Sequence, residues 1–422
     1  MEKNSTISIF EHGQLVAGNV YSGVMFKESH VDLLARYHSS NPECAFFVPS
    51  YKRILFKNYV GVIKVGHITI EVLPKTDRHT ENTDVWQKVL LQMLAISLNV
   101  EAKASTTANI NIRHCNVLET YLQIFLDEVN KLCREGLVRR YRINTGNQNA
   151  LRGKLLVHRN IIENVVHAER FVVAHPIYDR NNIYHAIIGD CLKCIMRMDV
   201  APEITSQCDS LLLYFPEYKA LQITDASFNK LQYDRNTERY RTALIFARMI
   251  LLNYHPDLRS GASNILAIMF DMNLLWQNYI KFRLKQAAVK LSNENIKVKP
   301  SLVKKYWRHE SGWSMRLKPD IVLSKNGENI VIDTKWKYKS GVSMEDVRQM
   351  YAYGDYFRAD QCYLMYPEKL QGSSISRQRG NFYDFSGEGE SKLRKSCGLL
   401  FVDIIKDHDL YSGIGSEILG VL

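Results

Sequence analysis

Two hydrophobic periods divide this chain. Through the first eighty or so residues, apolar positions alternate with polar ones or form short β-branched runs. The clearest case is Asn58–Val72, where two such runs flank Gly66 before Leu73-Pro74-Lys75, a pattern that predicts a hairpin. Residues 1–82 are therefore expected to form a β-rich domain. From Asp84 the period becomes helical: Val85, Val89, Leu90, Met93, Leu94 and Leu98 recur on one face, as do Val117, Tyr121, Ile124, Phe125, Val129 and Leu132, with Gly136 as the stop. Helices are also predicted from Asn182 to Met198 and from Thr237 to Leu252, giving a helical region over 83–258. The stretch Tyr254-His255-Pro256-Asp257-Leu258-Arg259-Ser260-Gly261 breaks the pattern and places the main boundary.

Residues 259–422 read as an α/β domain in the order α, β, β, α, β. A long helix from about Asn264 to Ala288 precedes a hairpin. Ser343 and Asp346 then open a helix carrying Val347, Met350, Tyr351, Gly354 and Phe357, and strands follow at Gln361–Tyr366 and Gly398–Ile405. Between these strands, the segment from Gln371 to Ser396 is rich in Gly, Ser and charge, and reads as a loop near substrate or as a disordered insertion. The fold class expected is multidomain α+β.

The hairpin carries the candidate chemistry. Its turn is Asn326-Gly327, between Ile321-Val322-Leu323 and Ile330-Val331-Ile332. Asp320 lies six residues before Asn326 and Asp333 six after Gly327, so a symmetric turn sets the two carboxylates opposite one another. Cross-strand partners have Cβ atoms roughly 4.5–5.5 Å apart. Lys335 shares their face because strand side chains alternate. Two facing carboxylates repel, and a hard divalent cation, Mg²⁺ above all with Mn²⁺ as a substitute, removes the conflict. That combination suits phosphodiester hydrolysis, the lysine steadying water or phosphate charge. An ordinary surface Asp/Lys pair is the alternative. On the following helix Gln349 and Tyr353 stand four apart on one face, where they either hold phosphate and position Lys335 or serve only as helix residues.

The formal charge of +11 points to a polyanionic partner. Between Arg134 and Arg159, a basic, amide-rich stretch with Arg139, Arg140 and Arg152 reads as a loop that meets phosphate or an acidic partner surface, or as a solvated connector. Tyrosines crowd the last region, where they suit base stacking and sheet packing equally. Cys191 and Cys194 form a C-x-x-C pair inside an apolar helical pattern and read as core thiols rather than zinc ligands. With no signal-peptide pattern and no apolar run of membrane-spanning length, cytoplasmic residence away from membranes is expected. The chain lacks a G-x-x-x-x-G-K-[ST] phosphate loop.

Pro319-Asp320 followed by Asp333-Thr334-Lys335 resembles the PD-(D/E)xK nucleases. With Arg316–Leu323, Val331–Lys337, Gln349–Gly354, Asn58–Lys75, Gly136-Leu137 and Leu151–Lys154, the likeness becomes one to the McrC family, the nuclease subunits of McrBC modification-dependent restriction systems. The resemblance spans nearly the whole chain. It implies a restriction-endonuclease-like C-terminal domain with Asp320, Asp333 and Lys335 as the catalytic set, double-stranded DNA as substrate, and an N-terminal half that binds and stimulates a hexameric McrB-type AAA+ GTPase. GTP would then be used by that partner, with Arg139, Arg140 and Arg152 as candidate contacts. The sequence departs from the pattern at one place: where relatives often carry a glutamate after a context like Met272–Trp276, this chain has Gln277, a neutral ligand at best. A non-cleaving GTPase activator and a stand-alone RecB-like repair nuclease are the rival readings.

Overall fold

The computed structural model describes residues 5–42, 44–74, 83–97, 117–216, 223–255, 265–291, 296–337, 342–368, 374–383, 392–406 and 408–422. The chain packs into two compact units, one of residues 1–117 with 267–422 and one of residues 118–266. This differs from the three successive regions read from the sequence, and the reason is a strand that returns. In the first unit Ser5–Phe10 pairs in parallel with Ile68–Leu73, which forms the expected hairpin with Tyr59–Val65. Beside Tyr59–Val65 runs Ile265–Asp271, so residues from the far side of the chain complete the N-terminal sheet. Gly61 permits the approach: at φ +140°, an added Cβ would sit 2.1 Å from the Ile268 carbonyl oxygen. The breaking stretch at 256–261 and the boundary drawn at 258 lie outside the described residues.

The helix expected from Asn264 is thus corrected. Ile265–Asp271, apolar and partly β-branched, is a strand, and Asp271 caps the helix Met272–Lys290 by accepting from the Asn273 amide at 2.8 Å. An apolar run this short fits either period, and the waiting sheet edge decides it.

The second sheet of this unit runs in the order Ile296–Val298, Ile321–Lys325, Glu328–Thr334, Gln361–Pro367, Lys392–Val402, Ile375–Gln378. Ile321–Lys325 and Glu328–Thr334 are antiparallel, whereas Glu328–Thr334, Gln361–Pro367 and Lys392–Val402 run parallel. The crossover between the first two parallel strands is the helix Met344–Phe357, capped at Ser343, whose side chain accepts from the Asp346 amide. Its Met350, Tyr353 and Phe357 pack on Val322, Val331, Leu364 and Phe401. Ile321, Leu323, Ile330 and Ile332 are buried on the other face, and helix Met272–Lys290 packs against the sheet. Coverage on both faces explains the unbroken apolar runs. Strands Ile375–Gln378 and Asn381–Tyr383 and the start of Lys392–Val402 fall within the stretch read as a loop, while 371–373 and 384–391 lie outside the described residues.

The second unit is mainly helical, with Val117–Glu135 entering it and Ile183–Met196, Pro202–Leu212 and Arg241–Asn253 within it. Cys191 and Cys194 are buried thiols there. The basic stretch is not a loop: Arg140–Gln148 is a strand paired antiparallel with Phe171–Asp179. Its polar side chains hid that, since neither face is fully buried and no apolar alternation marks it. No described helix is long and apolar enough to cross a membrane.

Candidate active site

The site is built on the Asn326-Gly327 turn. Both residues have positive φ, +52° and +89°, the requirement of a type I′ turn, whose twist matches that of the flanking strands. The register runs Lys325↔Glu328 through Ile321↔Ile332, so the next pair outward is Asp320 opposite Asp333. Val322 and Val331 lie under helix Met344–Phe357, and alternation places Asp320, Asp333 and Lys335 on that same covered face.

Each carboxylate is held differently. Asp320 Oδ2 accepts from the Thr334 amide and hydroxyl, both at 2.8 Å, which latches it to the opposite strand. Asp333 is buried, and apart from an ion pair with Lys335 at 2.8 Å its Oδ2 accepts no hydrogen bond. Burial, with the Asp320 charge second, pushes the Asp333 carboxyl up to about 6 despite the nearby ammonium.

Lys335 continues the ladder past Thr334, its amide donating to the Met365 carbonyl at 2.8 Å. Its Nζ meets Asp333, Asp346 at 3.1 Å and the Gln349 Oε1 at 3.2 Å, three acceptors for three protons. Burial acts to lower its pKa, but Asp333 and Asp346 outweigh this and hold the ammonium above its ordinary range. From Gln349 the network continues: Nε2 donates to the Tyr353 hydroxyl at 2.8 Å, which donates to the Lys318 carbonyl at 3.1 Å. Gln349 and Tyr353 thus connect Lys335 to the backbone two residues before Asp320. Burial, then the Asp333 charge, raises the Tyr353 hydroxyl to about 12, so it remains a donor.

Asp346 is the residue sequence reasoning missed. It was read only as part of a helix cap, yet its carboxylate pairs with Lys335 and, at 3.6 Å, Lys337. The available signal was its three-residue spacing from Gln349 on one helix face. The far side of the site is fixed by Trp336, whose amide donates to Asn273 Oδ1 at 3.3 Å and whose indole donates to Glu11 Oε1 at 2.6 Å. Gln277 also reaches the site, its Nε2 lying 3.4 Å from the Asp320 carbonyl oxygen. Arg139, Arg140 and Arg152 are in the second unit. Arg140 is engaged there with Asp234 at 2.6 Å and over the Tyr184 ring, whereas Arg139 and Arg152 are exposed.

Among the described residues no group of three or more His, Cys, Asp or Glu side chains stands at metal-ligand spacing. Two carboxylates nonetheless fit Mg²⁺, which commonly binds through one or two of them and completes its shell with water and phosphate oxygens.

The family model described as "McrBC 5-methylcytosine restriction system component" matches residues 54–367, about three quarters of the chain. The chain belongs to this McrBC family. The match contains the whole hairpin, Gln349 and Tyr353. No curated protein matches the chain significantly. Among solved structures, a chain of the refined half-complex from the tetradecameric assembly of Thermococcus gammatolerans McrB AAA+ hexamers with bound McrC is similar over 99% of this chain and 100% of its own, at 17% identity and TM-score 0.67. A chain of the Thermococcus gammatolerans McrBC complex is similar over 67% of this chain and 88% of its own, at 18% identity and TM-score 0.52. At these identities the likeness is one of fold. The sequence resemblance to McrC is thereby upheld at the level of the McrBC family.

Proposed function

We propose that the chain is the McrC-type subunit of a GTP-dependent restriction complex, a PD-(D/E)xK endonuclease that hydrolyses DNA phosphodiesters. The observation that carries this reading is the opposition of Asp320 and Asp333 beside Lys335 on one covered sheet face, in a chain of the McrBC family. Asp320 and Asp333 would hold Mg²⁺, with Mn²⁺ as a substitute; bound there, the ion polarises a phosphoryl oxygen and acidifies water. Asp320, latched by Thr334, keeps its oxygen in place. Lys335, fixed by Asp333, Asp346 and Gln349, exchanges one acceptor for a phosphate oxygen and stabilises charge developing there. Tyr353 and Gln349 position that ammonium. Gln277 supplies no anion, which favours a single cation.

The partner is read as a hexameric McrB-type AAA+ GTPase; a solved structure similar to this chain is one of McrB AAA+ hexamers with bound McrC, and another is of an McrBC complex. Arg139 and Arg152, exposed in the second unit, are the better candidate contacts, since Arg140 is occupied by Asp234. Membership of the McrBC family speaks against a stand-alone repair nuclease.

The test is Asp333→Ala with the partner GTPase, GTP, Mg²⁺ and modified DNA. Cleavage is expected to vanish while GTP turnover is still stimulated. Retained cleavage would sink the assignment. Stimulation with no cutting by the unchanged chain, even in Mn²⁺, would select the activator reading.

A further inference from the structure

The segment leading into Asp320 is a free-standing ribbon. Strands Lys304–Arg308 and Ser314–Leu317 pair only with one another, bulged at Tyr306. The base is anchored: Tyr306 packs edge-on against Tyr356 at 5.3 Å, and Lys304 lies 5.2 Å over the Phe357 ring. Beyond the base every residue of the first strand is exposed. The register carries Trp307 opposite Met315, and the 309–313 turn is closed by the His309 amide donating to the Trp313 carbonyl at 2.8 Å. Trp307, His309, Trp313 and Met315 therefore share one face. The two indoles are 4.9 Å apart, His309 stacks 5.4 Å from Trp313, and Trp307 and Trp313 are 44% and 52% exposed. The three other tryptophans, Trp86, Trp276 and Trp336, are buried.

The opposite face carries Lys305, Arg308 and Arg316. Residues 304–318 hold five basic side chains against the single acid Glu310, and Lys305, Arg308 and Arg316 form no ion pair with a described residue. An apolar protein-docking patch tends to be poor in charge at its centre. Aromatic rings backed by unneutralised cations instead match the two needs of a nucleic acid: phosphate neutralisation and base contact.

We propose that this ribbon is a DNA-contacting element that grips the substrate beside the bond to be cut, with Lys305, Arg308 and Arg316 on phosphates and Trp307 and Trp313 against bases. The inference rests on the nuclease reading for its substrate. Placement supports it: Arg316 is four residues from Asp320, a span of at most about 14 Å, which is about four base pairs of rise.

The experiment uses the full chain without metal and a fluorescein-labelled DNA duplex, with the matching single strand as a second probe. Two variants are compared with the parent: Trp307→Ala/Trp313→Ala and Arg308→Gln/Arg316→Gln. Both ribbon variants are expected to bind the duplex at least about fivefold more weakly. The arginine variant should also lower the salt-dependence slope by about 0.9 per lost contact. Since only Trp307 and Trp313 are exposed, DNA should quench the iodide-accessible tryptophan emission of the parent. Unchanged affinity in both variants, loss of partner association with DNA binding intact, or no binding of either probe by the parent would each overturn the proposal. Preference for the single strand would assign the indoles to unpaired bases and keep the site. Failure of the nuclease reading looks different: ribbon-dependent DNA binding by a parent that never cuts.

Discussion

Two β-hairpins follow one another in this chain, the ribbon Lys304–Leu317 and the hairpin Ile321–Thr334, separated by Lys318-Pro319-Asp320. Both reverse at a glycine of positive φ, Gly312 and Gly327. Their surroundings differ completely. The second has sheet neighbours on both edges and cover on both faces, while the first pairs with nothing but itself. In the buried hairpin the side chains away from the turn are fixed by their neighbours, so Asp320, Asp333 and Lys335 are held in place by the fold itself. In the ribbon, beyond the base held by Tyr306 and Lys304, the side chains touch only one another or solvent, and the proposed recognition falls to residues that stability does not require. The same local motif is used once for precision and once for contact.

The comparison can be broken at several points. The largest stability effect is expected in the buried hairpin: Ile332→Ala, at a fully buried position, should cost about 3 kcal/mol, whereas Met315→Ala in the ribbon should cost under about 0.5 kcal/mol, both read by denaturant unfolding. Equal losses would mean that the ribbon is part of the core. A second test concerns charge. Asp333 is raised to about 6 in the folded protein, so its contribution is fully present below its unfolded pKa of about 4 and is lost as pH rises through about 6. In metal-free protein, Asp333→Asn should therefore be more stable than the parent above pH 6, by up to about 3 kcal/mol, and no more stable below about pH 4. A gain independent of pH would deny the buried-charge account. Third, Gly327→Ala should lower global stability by about 1 kcal/mol, because a Cβ strains the left-handed turn position. Gly312→Ala places the same strain in the ribbon and should change the near-ultraviolet signal of Trp307 and Trp313 with little change in Tm. The smallest effect is expected for Arg308→Gln/Arg316→Gln, which should leave Tm within the error of the parent.

The hairpin of the candidate site was legible because its information is local. Asn326-Gly327 fixes the turn, the turn fixes the register, and the register fixes which carboxylates face each other. Gln349 and Tyr353 followed from helical spacing, although their link to Lys335 needed the helix to be placed on the sheet. Asp346 was visible only as a cap, since capping is a local signal and its pairing with Lys335 is not. The strand Ile265–Asp271 was misread for the same reason: its partner, Tyr59–Val65, lies some two hundred residues away. Arg140–Gln148 escaped because a strand without an apolar face leaves no alternation to read.

The bond from the Trp336 indole to Glu11 bears on how this protein can be divided. Glu11 follows the first strand of the chain, and Trp336 is the neighbour of Lys335. A fragment beginning after residue 258 would retain Asp320, Asp333 and Lys335, yet its Trp336 would have lost its buried acceptor and its strand Ile265–Asp271 the sheet beside it. Such a fragment would keep the proposed site without the contacts that brace it, so on the nuclease reading it would not be a portable cutting module. Gene fusions or truncations that exchange the N-terminal residues would be felt at Lys335, one peptide bond from the tether.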